Sequence, residues 1–180
     1  AVEVVRSFDP ERPIIFVPDR QLGSYVAQQT GRPIILSSGY CPTHVRILPE
    51  HIRELRELHP HAEVMVHPEC REEVVRMADV VASTSGMLEH ARRSSAETII
   101  VGTEVGLLYR LREENVDKQF LPAGPGCVCP NMKRTTPEKV LWALQDMQHR
   151  ITVPEGIRVP AKKALDRMLA VHSAPVGSAP

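Results

Sequence analysis

The chain has 180 residues, 42% of them apolar, and a formal net charge of zero. That length suits one medium domain or two small ones, with enough apolar residues for a core. The balanced charge argues against a nucleic-acid partner, and no apolar run approaches the roughly 20 residues that span a bilayer.

Taken in chain order, short β-rich runs alternate with amphipathic helices. A strand over 14–17 leads to a helix over 20–29 that Gly31 ends, then a strand over 33–36 and a loop over 37–44. A helix over 49–58 carries Ile52, Leu55 and Leu58 on one face. A strand over 63–66 stops at His67-Pro68-Glu69-Cys70, and a short helix covers 72–77. Strands over 79–82 and 98–101 precede helices over 85–93 and 104–114. A strand over 119–121 enters a Gly/Pro loop over 122–130. A helix over 137–148 has Thr136 as its N-cap and Pro137 in its first turn. A last helix covers 160–171, and the tail over 173–180 reads as disordered.

This alternation implies an α/β protein with parallel sheets and helices on both faces. In such sheets ligands gather at the carboxyl ends of strands. The polar and Cys-containing segments fall there: Tyr40–His44, His67–Cys70, Ser83–Gly86, Thr103-Glu104 and Cys127–Met132.

One unit occurs twice and ends both times in Cys-Pro, at Cys41-Pro42 and Cys129-Pro130, with Gly23 and Gly106 in the same register. Residues 1–6 resemble residues 87–92, but the strand-and-turn lead-in of the second copy, residues 78–86, has no counterpart before Ala1. With no initiator Met, the expectation is a piece cut inside a repeat.

Four cysteines in loops beside His and Pro point to metal or redox chemistry in a reducing compartment rather than to a disulfide framework. Thiolate selects zinc or iron–sulfur clusters, and each proline stiffens its loop. Neither site has CxxC spacing, so the ligands must meet across units. Cys129 is preferred to Cys127 because its Cys-Pro matches Cys41-Pro42; buried structural thiols are the alternative, and for Cys70 the favoured one.

His67-Pro68-Glu69-Cys70 packs an imidazole, a carboxylate and a thiol together, a general acid–base set unless it only caps the next helix. Ser83-Thr84 opens a helix, which makes either an anion site or an ordinary N-cap. Glu104 reads as a cap or supporting residue, and His44 as orienting the Cys41 loop. His51, His59, His61, His149 and His172 read as surface residues.

The succession GYCPTH, VHPEC, ADVVASTSGML, IVGTEVGLLYRL and CPNMK resembles the quinolinate synthase family, iron–sulfur enzymes of de novo NAD biosynthesis, up to about Leu169. The resemblance implies repeated three-layer αβα units around a pseudo-threefold axis. It implies a transferase that condenses iminoaspartate with dihydroxyacetone phosphate to quinolinate, phosphate and water, using a [4Fe–4S] cluster as Lewis acid. Cys41 and Cys129 would be two cluster ligands, with Cys127 the alternative to Cys129. His67 and Glu69 would be catalytic and substrate-binding, and Ser83 and Thr84 substrate-binding. Residues 1–43 would end the second repeat, 44–126 form the third, and 127–180 return to the first. The upstream ligand and substrate residues would be absent and this chain inactive alone. A cytoplasmic location and an L-aspartate oxidase partner supplying iminoaspartate are also implied. A non-catalytic iron–sulfur or zinc module using Cys41, Cys129 and a side chain such as His44 is the runner-up. A phosphate-binding α/β domain is the third reading.

Overall fold

A computed structural model describes residues 1–173. Its elements in order are α1 (Val2–Arg6), β1 (Ile14–Phe16), α2 (Arg20–Thr30), β2 (Ile34–Leu36), α3 (Pro42–Val45) and α4 (Pro49–Leu58). Then follow β3 (Glu63–Val66), α5 (Glu72–Arg76), β4 (Val80–Val81), α6 (Thr84–Arg93), β5 (Thr98–Gly102) and α7 (Gly106–Glu114). The last are β6 (Gln119–Pro122), a 3₁₀ turn (Met132–Arg134), α8 (Pro137–Gln145) and α9 (Glu155–Ser173). Residues 13–130 form one compact unit; among the other described residues, 1–12 and 131–173 belong to a second.

The larger unit holds a four-stranded parallel sheet in the order β4-β3-β5-β6 and a two-stranded parallel sheet of β1 and β2. The four-stranded sheet is covered on both faces, so its central strands are almost continuously apolar. Alternation along β3 and β5 sends Val64, Val66 and Ile100 to one side, where they pack with Ile47, Ile52, Cys70 and Val74. Met65, Ile99 and Val101 point the other way, onto Met87, Leu88, Leu108, Leu111 and Phe120. The α/β class with short parallel sheets is therefore as the sequence implies.

Connection order decides where ligands can collect. From β3 the chain steps to β4 on one side; from β4 it crosses back to β5, then on to β6. Loops leaving β3 and β5 thus diverge and leave a crevice beyond their carboxyl ends, the switch point of an open α/β sheet. The register pairs Val66 with Gly102, so both strands end level. A Cβ on Gly102 would lie 2.8 Å from Val66 Cγ1 and 3.3 Å from its Cα, so only glycine permits this approach.

Around β1 and β2, α2 packs on the Phe16 and Leu36 side: Gly23 sits so close that a Cβ would be 2.6 Å from Leu36 Cδ2. Asp19 caps α2 through Leu22 N–H, and Gly31 ends it at φ 68°.

Three local expectations need correction. The segment after β2 is not all loop: Pro42 starts α3 at a position where its missing N–H costs nothing. The helix expected over 137–148 stops at Gln145, and Met147 and His149 have φ of 50° and 61°. The helix expected from Pro160 begins at Glu155, because Pro154 O accepts from Ile157 and Arg158 N–H and Arg158 pairs with Glu155. Pro160 therefore lies inside it. The expected tail lies outside the described residues apart from Ser173. Among the described residues no helix is long and apolar enough to cross a membrane.

Phe120 is 1% exposed and Tyr109 73% exposed. Phe120→Ala should cost about 3–5 kcal/mol in chemical denaturation, and Tyr109→Ala less than about 0.5.

Candidate active site

Loops from β2, β3, β5 and β6 build the site in the crevice beyond β3 and β5. Cys41 is the N-cap of α3; its carbonyl accepts from Val45 N–H, so the thiol and His44 belong to one stiff turn. Gly39 lets that turn come close, since a Cβ there would lie 2.4 Å from Pro18 O. Asp19, 5% exposed, accepts the Cys41 N–H on Oδ2 at 2.8 Å.

His44 is buried at 8% exposure, with both ring nitrogens engaged. Nδ1 lies 2.9 Å from Glu69 Oε2 and Nε2 lies 3.0 Å from Thr103 Oγ1. An ionised carboxylate only accepts, so Nδ1 donates to Glu69, and in the Nδ1–H tautomer Nε2 accepts the Thr103 hydroxyl. His67 stacks on His44, ring centroids 4.5 Å apart and 12° from parallel. Glu69 N–H donates to His67 Nδ1 at 3.3 Å, which puts the proton of neutral His67 on Nε2.

These contacts set the charge states. The hydrogen bond from His44 holds the Glu69 carboxyl below the usual carboxylate range, against its partial burial. Burial, reinforced by the neighbouring His44, depresses His67, against the pull of Glu69 and Asp19. The result at neutral pH is an ionised acid beside a neutral imidazole.

The four cysteines divide in two. Cys70 is 1% exposed and burial pushes its thiol up to about 12; Cys127 is 0% exposed and burial pushes its thiol up to about 11. Both sit in the apolar core beside Ile47 and Val66. Cys41 and Cys129 are partly exposed. Cys129 follows β6, and its N–H donates to Glu104 Oε1 at 3.3 Å. Glu104 follows Thr103 directly, which brings the Cys129 loop next to the residue that holds His44. Ligand atoms of Cys41, His44 and Glu69 lie within 4.8 Å of one another, a group that could hold a metal ion.

Cys41, His67 and Glu69 thus come together. Ser83 and Thr84 share the carboxyl edge, after β4, but both are exposed and Ser83 Oγ accepts from Gly86 N–H as a helix cap. Glu104 also caps, through Gly106 N–H at 2.7 Å. Sequence reasoning missed Asp19, placed Thr103 at a ligand-gathering strand end without giving it a role, and gave His44 too small a part. The available signal was an acidic residue between strand and helix in both repeat copies, Asp19 before Gly23 and Glu104 before Gly106. Among the residues read as surface, His51 and His59 are half-buried, with His51 Nδ1 accepting from Leu48 N–H, and the side chain of His172 lies outside the described part.

The depressed His67 gives a signed pH dependence. Below about 6.5 an unfolded histidine gains a proton that folded His67 resists, so acid favours unfolding. In metal-free protein, stability should fall as pH drops below that value. His67→Gln should flatten this limb, as read from denaturation midpoints between pH 7.5 and 5.

Residues 1–170 match the family model described as Quinolinate synthetase A protein. The chain is 51% identical over 171 residues to a quinolinate synthase of Geobacter sp. (strain M21), 50% identical to one of Dehalococcoides mccartyi (strain ATCC BAA-2100 / JCM 16839 / KCTC 5957 / BAV1) and 48% identical to quinolinate synthase 1 of Methanosarcina acetivorans. Each match covers 95% of this chain and 56% of the relative, so the chain spans about half the length of the curated relatives it matches. With a match that takes in nearly all of its residues, this chain belongs to the quinolinate synthetase A family of enzymes.

Proposed function

We propose that the chain forms part of a quinolinate synthase that condenses iminoaspartate with dihydroxyacetone phosphate, releasing phosphate and water, in the cytoplasm. The observation that carries this reading is the convergence of Cys41, His44, His67 and Glu69 beyond β3 and β5, in a chain about 50% identical to proteins named quinolinate synthase. The repeat organisation (1–43, 44–126, 127–180), inactivity of this chain by itself, and supply of iminoaspartate by an L-aspartate oxidase belong to the same reading.

The donor set fits a [4Fe–4S] cluster held in part by Cys41 and Cys129. These are the two partly exposed thiols at the carboxyl edge, whereas Cys70 and Cys127 are core thiols that hold their protons. When bound, the cluster supplies Lewis-acid polarisation without redox change. Glu69, kept ionised by His44, accepts a proton from a substrate carbon or nitrogen and returns it to a leaving oxygen. His67 donates from Nε2 and orients a substrate oxygen. Thr103 holds His44, which fixes Glu69 in turn. The Ser83-Thr84 turn offers backbone N–H groups and hydroxyls to a carboxylate or phosphate.

A second reading, a zinc or single-metal module, is favoured by the compactness of Cys41, His44 and Glu69. It is weakened because both nitrogens of His44 are already hydrogen-bonded, so coordination would break one of those bonds.

Anaerobic reconstitution of the intact protein, with iron and sulfide analysis and visible absorption, separates the two. Cys41→Ser and Cys129→Ser should each lose the cluster, while Cys127→Ser should retain it. Tight zinc without iron–sulfur absorption would favour the second reading. Glu69→Gln should keep the cluster and lower quinolinate formation by at least about 100-fold; normal turnover would remove Glu69 from the mechanism.

A further inference from the structure

Two buried carboxylates have no part in the chemistry so far. Asp19 accepts Leu22 N–H on Oδ1 and Cys41 N–H on Oδ2, both at 2.8 Å. Glu104 accepts Gly106 N–H on Oε2 at 2.7 Å and Cys129 N–H on Oε1 at 3.3 Å. They are 5% and 8% exposed. Each follows a parallel strand, sits at the start of the next helix, and reaches to the backbone of the cysteine after a neighbouring strand. The two repeat copies therefore use one device, built once with Asp and once with Glu.

We propose that Asp19 and Glu104 are a matched pair of positioning residues, each aiming one cluster cysteine by binding its backbone N–H. The proposal rests on the reading of Cys41 and Cys129 as ligands. An ionised carboxylate at a helix N-terminus is stabilised by the helix dipole and by charge-assisted bonds, so its position is well defined. Tying the cysteine N–H to it fixes the backbone from which the thiolate projects. It also has an electronic consequence. Reduction potentials of iron–sulfur clusters follow net charge and the hydrogen bonds to sulfur. Here the cysteine N–H is directed to a carboxylate and a negative charge stands beside the ligand loop; both effects lower the potential.

The test uses the intact, anaerobically reconstituted protein and reads iron release to a chelator, reduction potential and melting temperature. Asp19→Ala and Glu104→Ala should each release iron about tenfold faster than wild type. Asp19→Asn and Glu104→Gln keep an acceptor oxygen but lose the charge; they should release iron at an intermediate rate and shift the potential positive. Glu63→Gln serves as control. Glu63 lies at the opposite edge of the sheet, where it binds His90 and Ser94, so its loss should lower melting temperature without changing the potential. Wild-type release rates and potentials in the Asp19 and Glu104 variants would overturn the proposal, as would changes matched by Glu63→Gln at equal loss of melting temperature. Full iron content in Cys41→Ser and Cys129→Ser would instead overturn the ligand reading beneath it.

Discussion

The close, level pairing of β3 with β5 is the constraint on which the site depends. Val66 stands opposite Gly102, and any side chain at Gly102 would strike it. Because the strands end together, His67 and Thr103 begin their loops side by side, and His67 N–H donates to Gly102 O at 3.0 Å. From there the chain leaves in opposite directions, to β4 and to β6. The crevice follows from topology, and the residues that fill it follow from the strand that each loop leaves.

Within the crevice one residue, Glu69, serves two imidazoles. Glu69 is hydrogen-bonded to His44, and its own backbone N–H donates to His67. Stacked imidazoles repel when both are charged, and burial disfavours the charge on His67 further. The arrangement thus distributes charge unequally across three adjacent residues, which is the requirement for acid–base work at one pH. Partitioning among the cysteines follows the same physics: where the chain runs through the apolar core the thiol keeps its proton, and where it rounds the sheet edge it meets polar neighbours.

The sequence made a good part of this legible. Alternation of β-rich runs with amphipathic helices placed the strands within a residue or so, because β3 and β5 are short apolar runs bounded by polar turns. The polar segments at strand ends marked the crevice edge. What stayed hidden depended on contacts across the chain. His44 looked like a neighbour of Cys41, yet its partners Glu69 and Thr103 are 25 and 59 residues away. Asp19 drew no notice in the sequence: one oxygen caps α2, and the other is used 22 residues later. The start of α9 escaped because Pro160 reads as a helix beginning, whereas the Pro154 carbonyl and the Glu155–Arg158 pair begin it a turn and a half earlier.

Local sequence by itself determined which segments become strands and helices, which thiols precede a proline, and which residue types stand at strand ends. These follow from backbone preference and from the periodicity of apolar side chains, both set over a few residues. Tertiary structure decided which strand ends are neighbours, that His44 rather than His67 is the direct partner of Glu69, and that Cys127 is a core thiol while Cys129, two residues on, is not. Those outcomes turn on strand order and on burial, and neither can be computed from a residue and its near neighbours. They are properties of the sheet as a whole, which local sequence does not contain.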